Sequence, residues 1–491
     1  MRDLFASFFP RSKARIMLSA VVLVALLGTL AVTGQFRTES SHAQSPSSWP
    51  TYLYDNTHSG YNASETIINP TSAPNLKLKW TATTSGCTGS PGGPTDISTQ
   101  PVVSQNLHLI FWGSWDGCEH ATNLSGQQVW TTFIGQTSNP QCAFPSTLGV
   151  ASTATVTIAT IGGKSTPILL VGGGDANFYA LNAMTGAIIW KTPLGSGTGS
   201  FLWSSPAVFQ GSVYEGLSSQ LDCPLIQGKL FQLNAVTGAI QNTFNVVSTG
   251  CTGGSVWGSP TLDESAGTLY FATGNPGKCA QSDSYTESII ELNLSNLALI
   301  GSWQVPKSQQ VHDSDFGDTP TLFQATISGQ LESLVGVMNK NGIYYAFVRG
   351  NLNQGPVWQA MISPSVEVSD VSPSAWDGST LYVGGSDPNI SGTSCNGKGS
   401  SLQALNPANG AFLWQVCLQS NCCVWGAVTE VPGVLAVGTF DSLKLVATST
   451  GKTLFTYFDK STHGVFYGAP SISNGVLYIG DSNGNLYALA P

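Results

Sequence analysis

Tyr179-Ala-Leu-Asn-Ala-Met-Thr-Gly186, followed by Ala-Ile-Ile-Trp190, returns as Phe231-Gln-Leu-Asn-Ala-Val-Thr-Gly238, followed by Ala-Ile-Gln. An apolar stretch led by an aromatic reads as a strand. The Asn side chain can close an Asx turn, and Gly supplies the positive φ that ends it. The Trp after the turn is large enough to fill the gap between neighbouring sheets. Degenerate copies stand at Thr122–Gly126 with Trp130, Leu292–Leu297 with Trp303 and Phe347 with Trp358. Others are Leu405–Gly410 with Trp414, Val446–Gly451 with Phe455, and the terminal Leu486-Tyr-Ala-Leu489. Eight equivalents (Thr122, Leu181, Leu233, Leu292, Phe347, Leu405, Val446 and Leu489) recur at steps of 41 to 59 residues. That period marks a propeller or a solenoid. The last copy lacks an outer strand, and Leu76-Lys-Leu-Lys-Trp80 can supply it. Closing the ring in this way removes the open sheet edge. The expected fold is all-β: a single eight-bladed β-propeller of four-stranded antiparallel blades, closed by an N-terminal strand.

Composition agrees. Of 491 residues only 9% are charged and 55 are Gly. Long surface helices draw on Glu, Lys and Arg, which are scarce here. The net charge of −9 leaves no basic excess to neutralise phosphates, which excludes a nucleic-acid partner.

Arg2, Arg11, Lys13 and Arg15 precede an apolar run from Ile16 to Thr33, and Ser41-His42-Ala43 follows. Residues 1–43 read as a signal peptide or an N-terminal membrane anchor. Residues 44–491 are then the propeller, in an extracytoplasmic location. That part holds 13 basic and 25 acidic residues, a formal charge of −12, and all ten cysteines. An even cysteine count outside the cytosol implies disulfides, whose pairing the sequence leaves open. No Cys-x-x-Cys-His occurs, so no covalent c-type haem is built in.

The repeat Ala-Leu-Asn-Ala-x-Thr-Gly-x-x-x-Trp resembles that of pyrroloquinoline quinone (PQQ) propellers, and Trp49-Pro-Thr-Tyr…Asp55…His58-Ser-Gly resembles their N-terminal signature. Propellers of outer-membrane assembly share the repeat without a cofactor, so the repeat alone carries no chemistry. Further segments resemble quinoprotein alcohol dehydrogenases, the polyvinyl-alcohol dehydrogenase branch above all. In Ser255-Val-Trp257-Gly258 the resemblance implies that Trp257 stacks on the quinone, beside Ser255. In Gly274-Asn275-Pro276 it implies that Asn275 is a calcium ligand, a hard oxygen donor. In His312-Asp-Ser-Asp315-Phe-Gly-Asp318 it implies that Asp315 is the catalytic base and touches the metal. Asp313 and Asp318 read as polar loop positions. In Met338-Asn-Lys340-Asn-Gly342 it places Lys340 over the reactive quinone oxygens. Cys423-Val-Trp425-Gly426 resembles a late segment near the cofactor. The family's calcium-binding Glu falls near Ser218-Ser-Gln-Leu-Asp222, where Asp222 is the carboxylate available. Where the family has an Arg before the second blade, this chain reads Leu148-Gly-Val-Ala-Ser-Thr153.

The resemblance therefore implies an exported dehydrogenase using PQQ and calcium to oxidise a small or polymeric alcohol, with a separate electron acceptor. The alternative is a non-catalytic extracellular propeller serving as a binding or assembly scaffold.

Overall fold

The computed structural model describes residues 48–142, 145–279, 285–363, 371–386, 399–418, 423–461 and 463–491. The leader read over residues 1–43 lies outside them. So does Cys422, one of the two adjacent cysteines.

Eight antiparallel sheets follow one another along the chain, each a four-stranded blade, with the short strand Ser200–Phe201 added to the third as a fifth. Blade 2 shows the pattern: Thr155–Ile161, Lys164–Gly172, Asn177–Asn182 and Ile188–Pro193, paired in that order. The first strands of blades 1, 4, 7 and 8 (Val102–Ser104, Thr261–Asp263, Thr429–Val431 and Ser471–Ser473) are buried throughout. Fourth strands such as Ile240–Asn245 alternate exposed and half-buried residues. First strands therefore line the centre and fourth strands the rim.

Each residue of the repeat has a visible task. Asn182 accepts hydrogen bonds from the Met184 and Thr185 amides, and Asn234 accepts from Val236 and Thr237. Gly186 and Gly238 both take φ 71°. The indole then reaches across to the next blade. Trp130 donates to the Ala183 carbonyl at 2.9 Å, Trp190 to Ala235 at 3.2 Å and Trp358 to Pro407 at 2.9 Å. A Cβ on Gly186 would sit 2.6 Å from the Trp130 ring. The turn needs Gly twice over, for its φ and for the neighbouring indole.

Between blades the core is apolar. Val102, Phe111 and Trp130 of blade 1 pack with Leu169, Val171 and Leu181 of blade 2. Each such buried side chain contributes about 1.5–3 kcal/mol.

The ring closes as the sequence implies. Lys77–Thr83 pairs antiparallel with Asn485–Ala490 as the fourth strand of blade 8. Trp80 of that strand donates to the Leu124 carbonyl of blade 1 at 3.1 Å, repeating the inter-blade bond.

The N-terminal signature has a role that the repeat does not reveal. Trp49 to Asn62 runs along the inner edge of the ring and bonds to every blade in turn. Trp49 exchanges two 2.8 Å bonds with Val103 of blade 1, and the Pro50 carbonyl accepts from Val156 of blade 2. The Asn56 side chain donates to Val208 of blade 3 at 2.9 Å. Carbonyls of Asn56, Thr57, Ser59 and Gly60 accept from Leu262, Leu322, Trp376 and Glu430 of blades 4 to 7. The Asn62 side chain donates to Ile472 of blade 8 at 3.0 Å. A second seam runs where first strands begin. The amides of Gln100, Thr153, Ser205 and Ser259 donate to hydroxyls of Thr153, Ser205, Ser259 and Thr319, each in the following blade.

Candidate functional site

Two kinds of segment meet at one end of the ring: the linker entering each first strand and the loop between second and third strands. Blades 3, 4 and 5 bring six polar and aromatic side chains together there. Asp222 comes from the blade 3 loop, Asn275 from the blade 4 loop and Lys340 from the blade 5 loop. Trp257 comes from the linker into blade 4, and Asp313 and Asp315 from the linker into blade 5.

Lys340 Nζ stands 2.6 Å from Asp315 Oδ1 and 3.0 Å from Asp313 Oδ2. The same ammonium lies over the Trp257 ring, 4.9 Å from its centroid. The Trp257 indole donates to Asp315 Oδ2 at 3.1 Å. Asn275 Nδ2 donates to Asp313 Oδ1 at 2.5 Å and to Asp222 Oδ2 at 3.0 Å. The backbone supports this arrangement. The Lys340 amide donates to the Asp315 carbonyl, and Asn339 Nδ2 donates to the Ser314 carbonyl. A Cβ on Gly317 would meet the Trp257 ring at 2.2 Å, so only Gly lets the indole lie there.

Burial sets the electrostatics. It pushes the Asp315 carboxyl up to about 7, against the pull of Lys340. Burial also raises Asp222, eased by Asn275 and Lys340. Burial works on Asp313 too, but Lys340 and Asn275 hold that carboxyl below the ordinary range. Burial opposes the charge on Lys340, and the paired carboxylates keep its pKa raised. Three carboxylates face one ammonium, and Glu287 lies behind them, accepting from Ser314 at 3.1 Å. A surplus of carboxylate and amide oxygens is the donor chemistry that suits a hard divalent cation such as calcium.

Four of the predicted residues, Asp222, Asn275, Asp315 and Lys340, meet in this cluster with Trp257. Ser255 does not present its hydroxyl there. It accepts from the Ser219 amide at 3.0 Å and donates to the Ser219 hydroxyl, joining blades 3 and 4. Trp425 belongs to a second group, packed edge-on against Phe440 and tilted against Tyr467. Tyr467 in turn contacts Trp115, and Trp115 contacts Trp203. Trp203, Trp257, Trp425 and Tyr467 each stand four residues before a first strand, so they are equivalent positions around one end of the ring. The aromatic-Gly/Ser-Ser/Ala spacing before a strand is a signal that could have found Trp203 and Tyr467. Leu148 is buried against Trp115 and Phe201, so that wall is apolar.

Asp313 and Asp318 are not solvated loop residues. Asp313 completes the cluster, whereas Asp318 is fully buried and accepts from the Met338 amide at 2.6 Å. Among the described residues, Asp116, Cys118 and His120 also converge within 4.8 Å. The Cys118 sulfur is bonded to Cys87, and Asp116 accepts from Ser114 and Thr84, so this group is structural.

A family model described as "Outer membrane protein assembly factor BamB" matches residues 120–290. Polyvinylalcohol dehydrogenases from a Pseudomonas species and from Sphingopyxis sp. (strain 113P3) are 26% and 24% identical over 61% of this chain. The match spans 55% of each relative, so this chain covers little more than half the length of either. The chain is an eight-bladed propeller similar in sequence, over part of its length, to polyvinylalcohol dehydrogenases. Solved structures agree on the fold. A quinohemoprotein alcohol dehydrogenase from Pseudomonas putida HK5 superposes with a TM-score of 0.71 at 14% identity, covering 91% of this chain and 80% of its own. The Comamonas testosteroni quinohemoprotein alcohol dehydrogenase gives 0.69 at 18% identity, covering 92% and 81%. A europium-containing methanol dehydrogenase gives 0.69 at 15% identity, covering 91% and 98%.

Proposed function

We propose that the chain is an exported quinoprotein dehydrogenase that oxidises an alcohol, small or polymeric, with PQQ and calcium. Electrons then pass to a separate carrier. The observation that carries this reading is the meeting of Asp222, Asn275, Asp313, Asp315 and Lys340 against the face of Trp257. Its donor set suits calcium, and its indole offers a flat apolar surface to a quinone. When bound, PQQ accepts the hydride and calcium acts as a Lewis acid.

This chain's own residues do the rest. Asp222, Asn275 and Asp315 supply oxygen ligands. Asp315 takes the hydroxyl proton, a task that needs a carboxylate within hydrogen-bond reach of the substrate. The Trp257 N–H and Lys340 hold both carboxylate oxygens of Asp315 in place. Lys340 offers a fixed cation for negative charge developing beside Trp257. The paired disulfides support passage through an oxidising compartment, in keeping with the leader read over residues 1–43.

The apolar wall at Leu148 favours a second reading, a propeller that keeps the architecture as a scaffold. Reconstitution with PQQ and calcium, followed by dye-linked oxidation of primary, secondary and polymeric alcohols, separates the two. The dehydrogenase reading expects dye reduction that falls by about 100-fold or more in Asp315→Asn. Absence of dye reduction in the reconstituted protein across all three alcohol classes refutes it.

A further inference from the structure

Two thiols meet beside this cluster. Cys142 lies in the linker from blade 1 to blade 2, between the short paired strands Thr137–Ser138 and Thr147–Leu148. Cys223 lies in the blade 3 loop and directly follows Asp222. The Cys142 sulfur is 2.7 Å from the Cys223 carbonyl oxygen. The two side chains also interact with one another. Polar contacts on either side hold the segments together. Asn139 Nδ2 donates to the Cys223 carbonyl at 2.6 Å, and Gln220 Nε2 donates to the Ser146 carbonyl at 3.1 Å. Elsewhere in the chain, Cys87 is bridged to Cys118 and Cys251 to Cys279, so the chain matures where thiols are oxidised.

We propose that Cys142 and Cys223 form a further disulfide, which ties the Asp222 loop to the linker between blades 1 and 2. The oxidant is a disulfide-carrying partner of the same compartment. Cys223 is the more exposed of the two, so its thiolate attacks that disulfide first, forming a mixed disulfide and releasing one carrier thiolate. The Cys142 thiolate then displaces the second carrier sulfur. The two cysteine thiols lose two protons and two electrons, and the carrier leaves as a dithiol.

The bridge has a consequence for the site, which rests on the cation reading above. Asp222 sits in the left-handed region at φ 55°, with Oδ2 on the Asn275 amide. A covalent tether at the next residue limits how far that carboxylate can swing away. Cys142 and Cys223 are in this sense positioning residues.

The first test is peptide mapping of protein purified without reductant and alkylated while denatured. The Cys142 and Cys223 peptides are expected joined, lighter by two hydrogens than the separate pair. Alkylation of both thiols without prior reduction overturns the bridge, whatever becomes of the cation site. The second test is calcium calorimetry on wild type, Cys142→Ser and Cys223→Ser. Each single variant is expected to bind calcium about tenfold more weakly, the size typical of a group that orients a ligand. Unchanged affinity in both variants, with the bridge mapped in wild type, overturns the positioning role. A bridged wild type that binds no calcium overturns the cation reading and the positioning role with it, and leaves the bridge standing.

Discussion

The ammonium of Lys340 lies 2.6 Å from Asp315 Oδ1, with side-chain exposures of only 10% and 5%. Desolvated partners at this distance depend on one another. Removing the ammonium leaves Asp315 and Asp313 without their shared cation.

Lys340→Met therefore destabilises the fold most at alkaline pH, where Asp315 is ionised, by about 3–5 kcal/mol. Protonating Asp313 and Asp315 relieves the unpaired charge, so the loss shrinks as pH falls. Urea denaturation at alkaline and acidic pH measures it. A pH-independent loss contradicts the ion-pair account.

Gly60 tests the seam at the centre of the ring. It takes φ 63°, and a Cβ there would lie 2.8 Å from the Val428 carbonyl. Gly60→Ala is expected to cost about 1–3 kcal/mol. Asn62→Ala leaves the Ile472 carbonyl without its 3.0 Å donor and costs about 1–3 kcal/mol. Denaturation midpoints equal to wild type in both variants contradict a structural role for this segment.

Two turn glycines separate backbone strain from packing. Gly186 and Gly211 both have positive φ, but nothing lies within 4 Å of a Cβ on Gly211. Gly211→Ala should cost about 1–2 kcal/mol for the left-handed backbone alone. Gly186→Ala adds a clash with Trp130, worth about 1–3 kcal/mol more. Equal losses in the two variants contradict the inter-blade indole contact.

Buried titratable groups set the pH profile of stability. Burial lowers the His58 and His120 rings to about 3. The unfolded chain takes up these protons near pH 6.5 and the fold does not, so stability is lost as pH falls from about 6.5 toward 3. The slope is about 1.4 kcal/mol per pH unit for each histidine. Glu119 and Glu215 act in the opposite sense. Burial raises both carboxyls, so the stability they contribute is present below about pH 4.5 and lost as pH rises through their folded values. Glu119→Gln should raise Tm at about pH 8, and the gain should vanish near pH 4.5. A variant less stable than wild type at the higher pH contradicts this sign.

The blades were legible because each repeat solves its problem locally. Asn182 caps its own turn, Gly186 ends it, and Trp190 follows at fixed spacing. The closing strand could be inferred from the outer strand missing after Leu489. The site was legible as separate motifs, and Asp222, Asn275, Asp315 and Lys340 do converge. Their convergence was not legible, since contacts such as Asn275 to Asp222 join different blades. Asp313 reads as a loop position in the sequence because its charge partner, Lys340, is 27 positions away. The run from Trp49 to Asn62 hid its role for a related reason. Most of its bonds to the eight blades use backbone atoms, which carry no side-chain signature, and the contact to Ile472 spans 410 positions.

In the proposed dehydrogenase this cluster holds calcium and a quinone together. Titration of the purified protein with PQQ, with and without calcium, followed by tryptophan quenching, tests it most directly. Saturable quenching is expected, requiring calcium and weakening at least about tenfold in Asn275→Ala and Asp315→Ala. Quenching that is absent, or indifferent to calcium and to both substitutions, would contradict it.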